Sequence, residues 1–202
     1  MANFLDRLWR KDKEEGVDQA LEYGAALSFK CCQVEDNLMR LFFACDSRST
    51  ANDAELFQYM QQVSLLHRDE KHAVQDEVSL LKVYLRLIQN VTDEEVYIEF
   101  EELIDNKGLE VPALLLFPLV INAIQYGYNR MAERPVKIKV KTLGESLQLE
   151  VSNRANHRLT SQEHTETIDL LKARLTYFYP EGYSLICNSN SATFKATLLI
   201  KL

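Results

Sequence analysis

The chain predicts an α+β fold: an N-terminal helical hairpin followed by an α/β two-layer sandwich on a mixed, mostly antiparallel sheet. Three observations predict it. Apolar residues recur at helical spacing through the first two-fifths of the chain. After Asp93 the period falls to two. From there the order is strand, helix, two strands, helix, two strands, which segregates helices to one face of a sheet.

Phe4, Leu5, Leu8 and Trp9 recur at helical spacing among Arg7, Arg10, Lys11 and Lys13, a short amphipathic helix over residues 1–16 that Gly16 is expected to interrupt. Such a helix docks on its own protein, on another protein or on a membrane surface. Residues 17–72 read as the hairpin. Its first arm runs from Val17 to about Ala44 through Leu21, Ala25, Leu27, Leu38, Leu41 and Phe42, and a polar turn spans Ser47 to Asn52. The second arm presents Ala54, Phe57, Met60, Val63 and Leu66. A hairpin with so wide an apolar surface pairs readily with a copy of itself in a four-helix bundle, so a homodimer is expected. Packing of all these helices into one α+β domain is the other option.

Residues 73–202 read as the sandwich. A helix from Glu77 to about Val91 carries Val78, Leu81, Tyr84, Leu85 and Ile88. Val96, Ile98 and Phe100 then alternate with Tyr97, Glu99 and Glu101, as in a strand with one buried face. A long apolar helix is expected from Val111 to Asn129. Val136, Ile138 and Val140 alternate with lysines, TLGES turns the chain, and Leu147, Leu149 and Val151 answer, which is a hairpin. A helix from about Ser161 to Phe178 precedes two strands, one through Tyr183, Leu185 and Cys187 and one through Phe194, Ala196, Leu198 and Ile200.

Composition excludes several classes. At 202 residues and 47% hydrophobic content the chain can bury a sizeable core. Net charge of -7 opposes nucleic acid, whose binding needs a basic patch that the sequence lacks. The longest apolar run, Val111 to Ile124, holds 14 residues with Pro112 and Pro118, short of the ~20 that span a bilayer. Cys31, Cys32, Cys45 and Cys187 lack the paired spacing of a zinc site, no signal-peptide pattern opens the chain, and a reducing cytoplasm is the expected setting.

Four segments carry a family resemblance. EVSLLKVYLRLIQN at 77–90, VPALLLFPLVINAIQYG at 111–127, LQLEVSN at 147–153 and LLKARLTYFYPEGYSL at 170–185 resemble, in order, motifs of the LytS-type sensor histidine kinases. The ATP-binding domain of that family has the Bergerat fold of the GHKL ATPases. The resemblance implies Mg-ATP as cofactor, held by an Asn at 122 and an adenine-binding residue at 153, and a receiver domain of a response regulator, or a partner sensor kinase, as the protein partner.

Departures fall on the residues that carry chemistry. QVEDNLMRL at 33–41 puts Asn37 at the phosphoacceptor position, and an amide has no imidazole nitrogen to carry a phosphoryl group. No histidine precedes His67 and His72; His67, in HRDE, is either a substitute acceptor or a residue at a helix C-terminus. Ile121 replaces the Glu of the family's Glu-Asn pair, so no carboxylate remains there as a general base. Gln125 and Tyr126 replace a basic residue and a His, which removes positive charge from the phosphate region. TETIDL at 165–170 replaces the glycine lid with Thr165, Thr167 and Leu170, where glycines would let the backbone approach phosphates. Asn153 stands for the usual Asp and can either accept from an exocyclic amine or cap the end of a strand.

Packing positions survive while catalytic ones are lost. The expected function is therefore a catalytically inactive, histidine-kinase-like adaptor or regulator that works by protein binding, with no catalytic residue and no metal. An ATP-binding kinase or ATP-regulated switch with a weakened site at Asn122 and Asn153 is the alternative. The acidic run Asp93, Glu94, Glu95, Glu99, Glu101, Glu102 and Asp105 either seeks a basic partner or is a solvated strand face.

Overall fold

The computed structural model describes residues 2–45, 50–92, 95–127, 130–155 and 165–202, the side chains of 2–15, 17 and 51 excepted. The expected stripe Phe4, Leu5, Leu8 and Trp9, the turn residues 46–49, Asp93 with Glu94, and the start of the last expected helix at Ser161 lie outside what is described.

An N-terminal helical hairpin and a mixed, mostly antiparallel sheet make up the fold. Helix α1 (Ala2–Gln33) runs unbroken through Gly16, so the interruption expected there does not occur. One Gly costs a helix about 1 kcal/mol, which a 32-residue helix absorbs. The break comes instead at Val34 and Glu35, splitting the expected first arm into α1 and α2 (Asp36–Ala44). Glu35 forces that break by capping α2: its carboxylate accepts from Asn37 N (3.0 Å) and Leu38 N (2.7 Å). Helix α3 (Thr50–Ser64) returns, and Gln33 Nε2 ties the arms by donating to Val63 O (2.7 Å) and Leu66 O (3.2 Å).

The hairpin packs on its own chain. The second half of α1 lies along α6 (Glu166–Phe178), and α2 and α3 lie against α4 (Val74–Val91). Leu56, Tyr59 and Val63 form the buried stripe of α3; of the expected face Val63 is buried and Met60 and Leu66 pack partly buried against the core, whereas Phe57 is 72% exposed. Close approach of α1 and α6 requires a small residue. A Cβ added at Gly24 meets Ala173 Cβ at 2.8 Å.

Five strands form the main sheet in the order β2-β4-β5-β7-β6: β2 (Ile98–Leu103), β4 (Val136–Leu143), β5 (Ser146–Arg154), β6 (Tyr183–Ser189) and β7 (Thr193–Lys201). Only β2 and β4 are parallel. The β4–β5 turn closes over Gly144, at φ +59, and Glu145, a conformation that Gly adopts without strain. Val136, Ile138, Val140, Leu147, Leu149, Val151, Phe194, Ala196, Leu198 and Ile200 are buried beneath the helices. The opposite face carries lysines and glutamates in exposed pairs, Lys137 with Glu99 (2.9 Å) and Lys195 with Glu150 (2.6 Å). Glu101 likewise pairs with Lys139 on that face, whereas Glu102 turns the other way to pair with Lys82 of α4 (2.9 Å), so the strand residues of the acidic run are ion-paired within the chain.

The apolar segment from Val111 is not one helix. Residues 110–112 form β3 (Glu110–Pro112), which pairs with β1 (Lys71–Ala73) in a small second sheet, and helix α5 spans only Phe117–Tyr126. Between them the chain turns through Leu114 at φ +60. Pro112 and Pro118 each bias the preceding residue away from helix, and Pro118 sits in the first turn of α5, where its missing N–H is harmless.

The contact of Gly24 with Ala173 is testable. Gly24→Ala is expected to lower unfolding stability by about 1–3 kcal/mol through overpacking, and adding Ala173→Gly should recover part of that loss in urea denaturation. Equal stability of all three proteins would show that α1 does not depend on this approach.

Candidate functional site

The turn at 113–116 positions α5 and is held from two sides. Glu77, fully buried on α4, accepts from Leu114 N (2.9 Å) and Leu116 N (3.1 Å). Arg174, fully buried on α6, donates to Leu114 O (3.2 Å) and Ala113 O and stacks its guanidinium 5.4 Å from the Phe29 ring of α1. Burial pushes the Glu77 carboxyl up to about 7, against the pull of those N–H groups and of Arg174.

On α5, held in this way, Asn122 points inward and is 0% exposed. Its Oδ1 accepts from Thr165 Oγ1 at 2.7 Å. Thr165 is itself the cap of α6, where its hydroxyl accepts from Ile168 N (3.4 Å). The start of α6 is therefore held by a side-chain cap tied to α5. Asn153 belongs to the inward-facing series of β5, is 3% exposed, and donates Nδ2 to Arg154 O (2.8 Å).

Beside these residues a cavity of about 220 Å³ opens between α1, α2, α5 and α6. Ile121, Gln125, Tyr126, Thr167 and Leu170 all line it, whereas Asn122 and Asn153 do not. Ile121, Gln125, Tyr126, Thr167 and Leu170 thus converge on one place, and Asn37, Asn122, Asn153 and Thr165 are not among the residues that line it. Glu35, Asp36 and Glu166 contribute carboxylates, and among the described residues no lysine, arginine or histidine lines the cavity. Gln125 Nε2 donates to Glu35 Oε1 (2.7 Å), and Tyr84 Oη donates to Glu35 Oε2 (3.4 Å), so the cap of α2 is bonded to α5 as well. Burial raises the Glu35 carboxyl above its ordinary value, with the Leu38 and Asn37 N–H groups acting the other way.

Asn37 directly follows the lining residues Glu35 and Asp36 without lining the cavity itself, and accepts from Arg40 Nη2 (2.8 Å). His67 is elsewhere, in the turn after α3, where its N–H donates to Glu70 Oε2 (3.2 Å). Glu35, Glu77 and Arg174 do the most to build the site, and residue-type reasoning did not single them out. An acidic residue just before the apolar run of α2 is the signal that marks Glu35 as a cap. Glu77 and Arg174 become a pair only through the fold.

No protein-family model and no curated protein matches the chain. Solved structures do. The histidine kinase domain of the Erythrobacter litoralis EL346 blue-light activated histidine kinase superposes with a TM-score of 0.52 at 13% identity, over 95% of this chain and 94% of that one. The Acinetobacter baumannii histidine kinase AdeS gives 0.45 at 12% identity over 75% of each chain. The catalytic domain of histidine kinase ThkA gives 0.44 at 16% identity, over 65% of this chain and 94% of that one. The first of these superpositions shows that the chain has the fold of a histidine kinase domain.

Two outcomes follow from the geometry. Asn122→Ala is expected to destabilise the protein by about 1–3 kcal/mol with no nucleotide present, because it strips the Thr165 cap of its acceptor; unchanged denaturation would show that this bond is unimportant. Glu77 has a raised carboxyl pKa, so its contribution to stability is complete below about pH 4.5 and is lost as pH rises through about 7, by on the order of 3 kcal/mol. Glu77→Gln should flatten that slope in melting curves taken between pH 4.5 and 7.5, and an unaltered slope would assign the titration to another group.

Proposed function

We propose that this chain is a catalytically inactive, histidine-kinase-like protein that acts as a signalling adaptor or regulator by binding other proteins. The observation that carries the reading is the cavity at the start of α6. Five residues that depart from the kinase motifs, Ile121, Gln125, Tyr126, Thr167 and Leu170, line it, and the charged side chains among its described lining residues, Glu35, Asp36 and Glu166, are acidic where a nucleotide would bring three phosphates. Phosphoryl transfer needs cations and N–H donors on the phosphates and a base or acceptor beside them. Ile121, Thr167 and Leu170 offer none of these side-chain functions, and Asn37 accepts no phosphoryl group.

The partner is a protein of the same signalling chemistry, a response-regulator receiver domain or a sensor kinase. In kinases of the resembled family the helical hairpin is where the receiver docks. Here α2 and α3 keep large apolar side chains on the outside, Phe43 at 68% and Phe57 at 72% exposed, after burying their inner stripes on α4. Exposed aromatic residues on a helical surface are the usual anchors of such contacts. The protein recognises its partner while leaving phosphoryl chemistry to it.

Titration with Mg-ATP tests the reading. A ligand at 100 times its Kd stabilises by ~2.7 kcal/mol, so a binding-competent site gives a clear rise in Tm at millimolar ATP. The expected result is no rise and no phosphoryl incorporation from labelled ATP. A rise of several degrees, or a labelled chain, would establish the weakened ATP switch instead. On the binding side, Phe57→Lys should weaken capture of a cognate receiver domain at least about tenfold while leaving Tm unchanged.

A further inference from the structure

The cavity between α1, α2, α5 and α6 combines an apolar wall with polar groups that the fold does not use. Pro118, Ile121 and Leu170 make up the wall, together with Tyr126 and the thiols of Cys31 and Cys32. Burial pushes both thiols up, so they stay uncharged at neutral pH and count as apolar surface. Of the three carboxylates, Glu35 is spent: its oxygens accept from Asn37 N, Leu38 N, Gln125 Nε2 and Tyr84 Oη. Asp36 and Glu166, in the first turns of α2 and α6, have side chains with no ion-pair or hydrogen-bond partner among the described residues. Ser28 lines the cavity from α1, is 2% exposed, and its Oγ has no hydrogen-bond partner either. Buried hydroxyls are nearly always bonded, so this one marks a bond left to be made. The volume, about 220 Å³, has room for about seven waters or one compact organic molecule.

We infer that this cavity binds a small organic cation, an ammonium group on a short apolar body, with Asp36 and Glu166 taking the charge and Ile121 and Leu170 the body. Charge selects the cation. A chain of net charge -7 with carboxylates at the site attracts cations and repels anions. An ammonium group brings donors only and a carboxylate accepts only, so the two match, and Tyr126 adds an aromatic ring of the kind that attracts ammonium. Ser28 Oγ is free to bond a polar atom of the ligand. A bare metal ion is the poorer fit, because it needs several ligands at once and no group of three or more His, Cys, Asp or Glu among the described residues is placed to hold one. The position of the cavity gives the ligand a role. Helices α1 and α2 belong to the hairpin, α5 and α6 to the sandwich, and a molecule touching all four favours the docked hairpin that presents Phe43 and Phe57. The inference rests on the reading of the protein as an adaptor and names what regulates it.

Calorimetric titration of the full chain with phenethylamine and with 1,5-diaminopentane, at neutral pH and fixed ionic strength, tests the site. At least one amine is expected to bind with a Kd of about 1 mM or below. The neutral analogue 2-phenylethanol should bind at least about tenfold more weakly than phenethylamine, and phenylacetate not at all. The double variant Asp36→Asn, Glu166→Gln should weaken the amine at least about tenfold. Asp105→Asn, Glu110→Gln removes the same charge from exposed residues outside the cavity and should bind like the parent. Ser28→Ala should weaken binding while leaving Tm equal or higher, because the hydroxyl it removes bonds nothing in the free protein. Neither amine binding up to about 10 mM, 2-phenylethanol binding as tightly as phenethylamine, or equal loss in both double variants overturns the inference. Failure of both amines with no Tm rise from Mg-ATP overturns it alone and leaves the adaptor reading standing. A Tm rise from Mg-ATP overturns the adaptor reading and this inference with it.

Discussion

Everything near the candidate site depends on how the turn at 113–116 is held. A left-handed Leu114 is strained by 1–2 kcal/mol or so, and the turn leaves peptide groups pointing both ways in a dry interior. Glu77 from α4 takes the N–H groups and Arg174 from α6 takes the carbonyls. Each is a buried charge that would be costly alone. Together they neutralise one another through the polar turn between them, and in doing so fix the mutual positions of α4, α5 and α6. Arg174 carries the linkage one layer further by stacking on Phe29 of α1.

Much of this architecture was legible in the chain. Alternation at Val136, Ile138 and Val140, answered by Leu147, Leu149 and Val151, gives the central hairpin because one buried face leaves a period of two. The helices with one apolar stripe were equally plain. Three things were not. Hydrophobicity does not distinguish a buried turn from a buried helix, so Val111 to Leu116 read as helix until the prolines and the two charged clamps decided otherwise. On α3 Val63 was placed correctly, but Phe57 was read into the stripe in place of Leu56, since the two are equally apolar and only packing on α4 tells them apart. Gly16 read as a stop because its cost was weighed locally, whereas a long helix dilutes it.

The site was legible in a different sense. The resemblance to kinase motifs pointed to Ile121, Gln125, Tyr126, Thr167 and Leu170, and the fold brings these five to the lining of one cavity. What residue type could not give is direction. Asn122 and Asn153 are the right amides for polar contacts with a ligand, yet both face inward and bond to protein atoms. A helix residue one position along, or a strand residue on the other face, has an opposite environment, and side-chain direction is set by packing on both sides at once. Glu35 shows the converse: an unremarkable acid in the sequence is the residue through which α2 is capped and bonded to α5.

The bond between Thr165 and Asn122 has a consequence for how signals could pass through such a molecule. In a nucleotide-driven cycle the segment leading into α6 is the moving part, because ligand free energy enters there and is converted to a change of shape. Here the start of α6 is bonded to α5 through Thr165 and Asn122, a contact that such motion would have to break. On the reading proposed above, the protein then responds through occupancy: how much of it is bound follows the concentrations and affinities of its partners by mass action. Its output is graded with abundance, and a cell would tune it by making more or less of the chain.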